Sequence, residues 1–196
     1  MIVGVENSKI ELINSDNVGL AGNFSVNPSS CSNPSFYKEY LQFSALNDQN
    51  SGHAVTHLIV DKTANRIMGF VSLRASSIIS YDEKNTMIGK PAVEVYMLAV
   101  DKDYERKKVG TSLIDHAIAE AYELHSNHIG IKCITLAADT KAVDFYDKMT
   151  FKPLDEVWDK MPKESWSAEC VPMVLEFNFE AELYESFADD LDDEEW

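Results

Sequence analysis

Two hydrophobic periods run through the chain, and their order outlines a fold. Residues 3–13, VGVENSKIELI, read as a first short strand. Residues 14–35 are rich in Asn, Ser, Gly and Pro and read as a loop. Over 36–48, Phe36, Tyr40, Phe43 and Leu46 recur at helical spacing, which predicts a helix with a packed aromatic face. Pro34 or Ser35 would start it, and the Asn/Ser/Gly cluster at 50–52 would end it. Residues 53–61 and 66–79 alternate as strands around a turn at 62–65, an antiparallel hairpin. Residues 80–91 read as a loop, 152–171 as irregular, and 172–179 as a last strand.

The stretch from Ala92 to Phe151 is the most regular. It reads as a strand (92–100), a charged turn (101–110), an amphipathic helix (111–124), a strand (132–138) and a short helix (139–149). In the longer helix Leu113, Ile114, Ala117, Ile118, Ala121 and Leu124 form one stripe, with Asp115, Glu120 and Glu123 facing away. A strand, a helical crossover and a second strand predict a parallel pair, so the class is α/β with a mixed sheet. No internal repeat is present.

The turn before that helix is the first candidate for chemistry. A helix start presents unpaired N–H groups and the positive end of the helix dipole. The amides from Arg106 to Thr111 can surround a pyrophosphate, with Arg106, Lys107 and Lys108 adding charge and Gly110 letting the chain turn into the helix. A solvated charged turn is the simpler reading of the same residues. On the central strand, alternation puts Glu94 on one face with Tyr96 and Leu98, opposite Val93, Val95 and Met97. Glu94 is a candidate general base, directly or through water; a strand Glu paired with a neighbouring Lys is the alternative.

Composition narrows the partners. The chain has 196 residues and a net charge of −16. Nine acids and no Lys or Arg lie in 180–196, and the remaining 24 acids and 17 bases leave −7. Such a surface disfavours general nucleic-acid binding, tRNA included, and favours a cationic small molecule or basic peptide. Leu183, Tyr184, Phe187, Ala188 and Leu191 make the acidic tail amphipathic. The organisation expected is one domain over 1–179 and a tail over 180–196. Its last strand edge and tail are compatible with a homodimer. No apolar run nears 18 residues and no secretion signal opens the chain, so a cytoplasmic protein without a membrane partner is expected. Cys31, Cys133 and Cys170 read as free thiols. His53 and His57, and His125 and His128, are closely spaced but lack a third ligand in sequence, so no metal is expected.

The stretch LAVDKDYERKKVGTSLI followed by DTKAVDFYDKMTF resembles the GNAT-type N-acetyltransferase family. That family's cofactor motif, Gln/Arg-x-x-Gly-x-Gly/Ala, falls on Glu105-Arg106-Lys107-Lys108-Val109-Gly110. Its later motif, Asn-x-x-Ala-x-x-x-Tyr-x-x-x-Gly-Phe, falls on Asp139, Ala142, Tyr146, Thr150 and Phe151. Glu105, Lys108, Asp139 and Thr150 depart from the usual residues. The resemblance implies a mainly antiparallel sheet of about six to seven strands with a central parallel pair, flanked by helices. It implies acetyl-CoA as co-substrate, held by Leu98, Ala99, Val100, Glu105, Arg106, Lys107, Lys108, Val109, Gly110, Thr111, Asp139, Ala142 and Tyr146. An N–H near Leu98 to Val100 would meet the oxyanion, and Tyr146 would protonate the departing thiolate. The implied reaction is direct acetyl transfer to a primary amine. The FSVNPSSCSNPSFYKEYL segment and two strands look most like the branch that includes toxins acetylating aminoacyl-tRNA. A non-catalytic module that binds acyl-CoA or a partner is the alternative from another class.

Overall fold

The computed structural model describes residues 7–158 and 169–177. The chain runs β1 (Ser8–Leu12), a 3-10 turn (Val18–Asn23), α1 (Pro34–Glu39), a π-helical segment (Tyr40–Ser44), α2 (Ala45–Ser51), β2 (Val55–Asp61), β3 (Arg66–Tyr81), β4 (Met87–Val100), α3 (Val109–Asn127), β5 (Cys133–Asp139), α4 (Val143–Lys148), β6 (Lys152–Pro153), α5 (Leu154–Val157) and β7 (Cys170–Glu176). The seven strands form one sheet in the order β1-β2-β3-β4-β5-β7-β6. β4 and β5 are parallel and every other pairing is antiparallel. The mixed α/β sheet with a central parallel pair is thus as the sequence implied. Among the described residues no helix is long and apolar enough to cross a membrane. The predicted tail at 180–196 lies outside the described residues.

Both faces of the sheet are covered. On one, Leu113, Ile114, Ala117 and Ala121 of α3 pack on Ile59, Met68, Val71, Val93, Val95, Ile134 and Leu136. On the other, Phe24, Tyr40, Leu41 and Ala45 pack on Leu58, Val60, Ile67, Phe70, Met97 and Ala99. Each large side chain buried this way contributes about 1.5–3 kcal/mol against leaving it exposed. α3 sits very close to β3: a Cβ at Gly69 would come within 2.9 Å of Val109 Cγ1 and 3.0 Å of the Ala99 carbonyl.

Three elements depart from expectation. The predicted loop at 80–91 is mostly strand: β3 and β4 pair as far as Tyr81 and Met87. The turn shrinks to residues 82–86, closed by Asp82, which accepts from the amides of Lys84 and Thr86. The predicted aromatic face at 36–48 is broken by the π segment, whose wider turn shifts the phase of the helix. Tyr40, Leu41 and Ala45 are buried, while Phe36 is 47% and Phe43 77% exposed. The helix starts at Pro34, one of the two starts expected, with Asn33 as the cap, its side chain accepting from the Phe36 amide. Finally, 14–35 is irregular as read but carries the 3-10 turn, whose Ala21 is buried, and the buried Phe24 and Cys31.

Candidate active site

β4 and β5 pair from Ala92–Cys133 to Val95–Leu136 and then part. β4 runs on to Val100 along β3. Its β5-facing edge from Tyr96 to Val100 therefore has no ladder partner among the described residues. The parting coincides with a bulge: Met97 opposes Ser72 and Val95 opposes Leu73, which leaves Tyr96 as the extra residue. An extra residue reverses the alternation beyond it. Val93 and Val95 face α3, but so do Leu98 and Val100, whereas Met97 and Ala99 face α1 and α2. Leu98 thus lies opposite Tyr96, not beside it as plain alternation predicts.

The cleft between the strands opens into a cavity of about 570 Å³. Its walls include Leu98, Ala99 and Val100 from β4, the turn before α3, and Asp139, Ala142 and Tyr146 from the far side. The turn is built to leave amides free. Arg106 and Lys108 both have φ of 60°, and Lys108 caps α3 in the left-handed conformation with no side-chain cap bond. The amides of Val109, Gly110 and Thr111 at the start of α3 thus point out of the helix, lining the cavity. The left-handed φ at Lys108 is what glycine adopts most cheaply, which accounts for the usual Gly there. Gly110 is helical, so its role differs from the one expected: a Cβ there would come 3.3 Å from Phe145 Cζ and 3.5 Å from Val100 Cγ2. It lets the helix start close over the cavity wall.

The charges sort themselves. Arg106 and Lys108 line the cavity. Lys107 does not; its ammonium lies over the Tyr104 ring at 4.9 Å and donates to the Asp103 carbonyl at 2.9 Å. Glu105 is tied to the loop, accepting from Asn27 Nδ2 at 2.9 Å and Ser30 Oγ at 2.7 Å. Asp139 fastens the same loop, accepting from the Ser32 amide at 2.7 Å, the Ser32 hydroxyl at 3.1 Å and the Lys141 amide at 3.0 Å. Burial pushes the Asp139 carboxyl up, but the amides of Lys141 and Ser32 and the Ser32 hydroxyl outweigh it and hold it below its ordinary value. Lys141 lines the cavity and donates to the carbonyls of Pro28 and Cys31, both at 3.2 Å.

Tyr146 is buried on α4, edge-on to Phe145 and Phe151, with its ring on the cavity. Burial first, then Tyr37 and Asp139, raises its phenol well above the ordinary value, so it stays a proton donor at neutral pH. α4 ends at Lys148 with Met149 as its C-cap, and Thr150 just beyond has a φ of 67°, the left-handed geometry that glycine usually supplies. Glu94 stands apart. Both of its oxygens accept from Arg74, at 2.9 Å each, and the Arg74 guanidinium lies over the Tyr96 ring at 4.0 Å. Glu94 does not line the cavity. The cation paired with it is Arg74 across the hairpin, not a neighbouring Lys as expected.

Sequence reasoning named as site residues none of Asn27, Ser30 and Cys31 from the loop or Tyr37 from α1, all of which line the cavity. Nothing in an Asn- and Ser-rich loop signals that it folds 75 or more residues away against Glu105 and Asp139. Burial, then Asp139, pushes the Cys31 thiol up, which disfavours its thiolate. Cys133 is fully buried and pushed up to about 12, mainly by burial.

Residues 24–151 match the model of the acetyltransferase (GNAT) family. A mycothiol acetyltransferase from Propionibacterium freudenreichii subsp. shermanii is 32% identical over 91 residues, 39% of this chain and 28% of that relative. The chain therefore spans under a third of that relative's length. Among solved structures, a point-mutant AtaT toxin superposes with a TM-score of 0.70 at 16% identity, over 88% of this chain and 92% of that one. AtaT complexed with acetyl-methionyl-tRNAfMet also gives 0.70 at 16% identity, over 90% and 99%. An AtaT mutant bound to acetyl-CoA and the C-terminus of the antitoxin AtaR gives 0.63 at 16% identity, over 87% and 94%. With the family model spanning well over half of the chain, the parted strands, the open helix start and the facing tyrosine belong to a member of the GNAT acetyltransferase family.

Proposed function

We propose that the protein moves the acetyl group of acetyl-CoA to a primary amine by direct attack. The observation that carries this reading is the parting of β4 and β5 after Val95 and Leu136, with free α3 amides and Tyr146 around one cavity. The N–H groups of Val109, Gly110 and Thr111, with Arg106 and Lys108, suit the pyrophosphate of the cofactor. The unpaired edge of β4 suits an extended, amide-bearing arm, which can bond to it as an added strand would. The amine nitrogen attacks the thioester carbon, and a β4 N–H between Leu98 and Val100 meets the developing oxyanion. The C–S bond then breaks, and the Tyr146 hydroxyl gives its proton to the departing thiolate. The proton lost by the amine goes to water. Glu94 can take it only after its pair with Arg74 opens, so it serves as base at most through a relay.

The acceptor class follows from charge. A body that is −7 without its tail favours a cationic amine. A second reading, acetylation of an aminoacyl-tRNA, draws on the likeness to AtaT complexed with acetyl-methionyl-tRNAfMet. The cations Arg106, Lys108 and Lys141 at the cleft would supply its local patch. An acceptor screen separates the readings: free-thiol release from acetyl-CoA with polyamines, lysine peptides and aminoacyl-tRNA. Tyr146→Phe should lower the rate by about 10²–10⁴-fold at nearly unchanged acetyl-CoA affinity. Full activity of that variant would overturn the role of Tyr146. Acetyl-CoA binding with no thiol release on any acceptor would favour a non-catalytic module.

A further inference from the structure

The fold brings together three side chains that the cofactor cleft does not use. His57 lies on β2, with Ile59 on the same, α3-facing side of the sheet. His116 and Glu120 are one turn apart on α3, each three residues beyond a buried member of its core stripe, Leu113 and Ala117. They therefore flank the stripe and overhang β2. His116 Nε2 lies 2.8 Å from His57 Nδ1 and 3.7 Å from Glu120 Oε1. One ligand atom from each of the three residues fits within a span of 4.8 Å. A tetrahedral ion about 2.05 Å from each ligand spaces ligand atoms about 3.3 Å apart, between the two distances observed.

We propose that His57, His116 and Glu120 bind one divalent transition-metal ion of the zinc class, pinning α3 to β2. Without an ion the same residues make a hydrogen-bonded histidine pair and an i,i+4 His–Glu pair; it is the convergence of all three ligand atoms on one point that suits a metal. Two imidazoles and one carboxylate suit zinc or cobalt, whereas calcium and magnesium take all-oxygen sets. The Glu120 side chain is 39% exposed and that of His116 18%, which leaves an entry path and room for water as a further ligand. None of the three residues lines the cleft proposed for acetyl transfer. His116 is seven residues along α3 from Val109, about 10 Å from the free amides, so the ion would brace the helix whose start forms the cradle.

The test uses the full chain, stripped with a chelator and titrated with zinc in competition with a chromophoric chelator. One equivalent should bind, and the melting temperature should rise by roughly 5–10 °C at about 100 times Kd. His116→Gln and Glu120→Gln remove direct ligands, so each should weaken zinc by at least the about 10–100-fold that losing an outer partner costs. Neither should change acetyl-CoA affinity. Cobalt should give visible d–d bands without a thiolate charge-transfer band. Absence of saturable binding, equal binding by both variants, or a thiolate band assigning the ion to the cysteines would each overturn the site.

Discussion

At Lys108 backbone geometry and ligand charge pull in opposite directions. Its φ of 60° costs a residue with a side chain about 1–2 kcal/mol. Lys108→Gly removes that cost, while the freedom glycine adds to the unfolded chain takes back about 0.5–1 kcal/mol. The net gain is about 0–1.5 kcal/mol, so the melting temperature should rise by no more than about 6 °C. The ammonium stands exposed at the cavity rim. Losing an exposed ion pair with a phosphate removes about 0.2–1 kcal/mol, up to roughly fivefold in affinity. Calorimetric titration with acetyl-CoA would compare wild type, Lys108→Gly and Lys108→Met, which keeps the Cβ and removes the charge. Both variants should bind more weakly, and the gap should close at high salt. Tighter binding by Lys108→Gly alone would refute the reasoning, because backbone approach and not charge would then limit the cradle.

Two further outcomes are expected. Gly69→Ala places a Cβ against Val109 Cγ1, Leu113 Cδ1 and the Ala99 carbonyl, at 2.9–3.0 Å. The carbonyl cannot move aside, so overpacking should cost about 1–3 kcal/mol. Because Val109 begins the cradle, KM for acetyl-CoA should rise as well; an unchanged melting curve would count against the close α3–β3 seat. Asp139 titrates below its ordinary value in the fold, so its stabilisation is present above the unfolded value and is lost as pH falls through the folded one. Below about pH 4, wild type should lose stability more steeply than Asp139→Asn, and parallel acid limbs in the two melts would show that the Ser32 and Lys141 bonds contribute nothing.

The segment from Ala92 to Phe151 was legible because its information is local. The α3 stripe and the basic turn are both encoded within a few residues of each other. Other features depend on partners distant in sequence or on backbone phase. Gly89 and Pro91 carry loop signals, yet Pro91 pairs opposite Ser77 in the ladder and its carbonyl accepts from the Lys132 amide at 2.9 Å. The π segment at Tyr40–Ser44 shifts which residues are buried without changing the hydrophobic count. His57 and His116 meet across 59 positions, so spacing rules that look for neighbouring ligands pass over them. Lys107 reads like Arg106 and Lys108 in sequence, and only its perch on Tyr104 separates it.

The departures from the family pattern resolve when the acids are followed to their partners. Glu105 and Asp139 line the cavity proposed for the cofactor, and by charge alone they should repel its phosphates. Each is instead occupied by donors from one loop: Asn27 and Ser30 on Glu105, Ser32 on Asp139. Lys141 fastens that loop from a third side through the carbonyls of Pro28 and Cys31. The cations left facing the cavity are Arg106 and Lys108, beside the free amides of α3. A carboxylate spent on hydrogen bonds to a fixed loop costs the ligand less than a free one, because neutral donors already hold its charge. On the proposed reading the acids serve the ligand indirectly, by holding the loop that walls the cavity, and the α3 amides with Arg106 and Lys108 would remain to meet its phosphates.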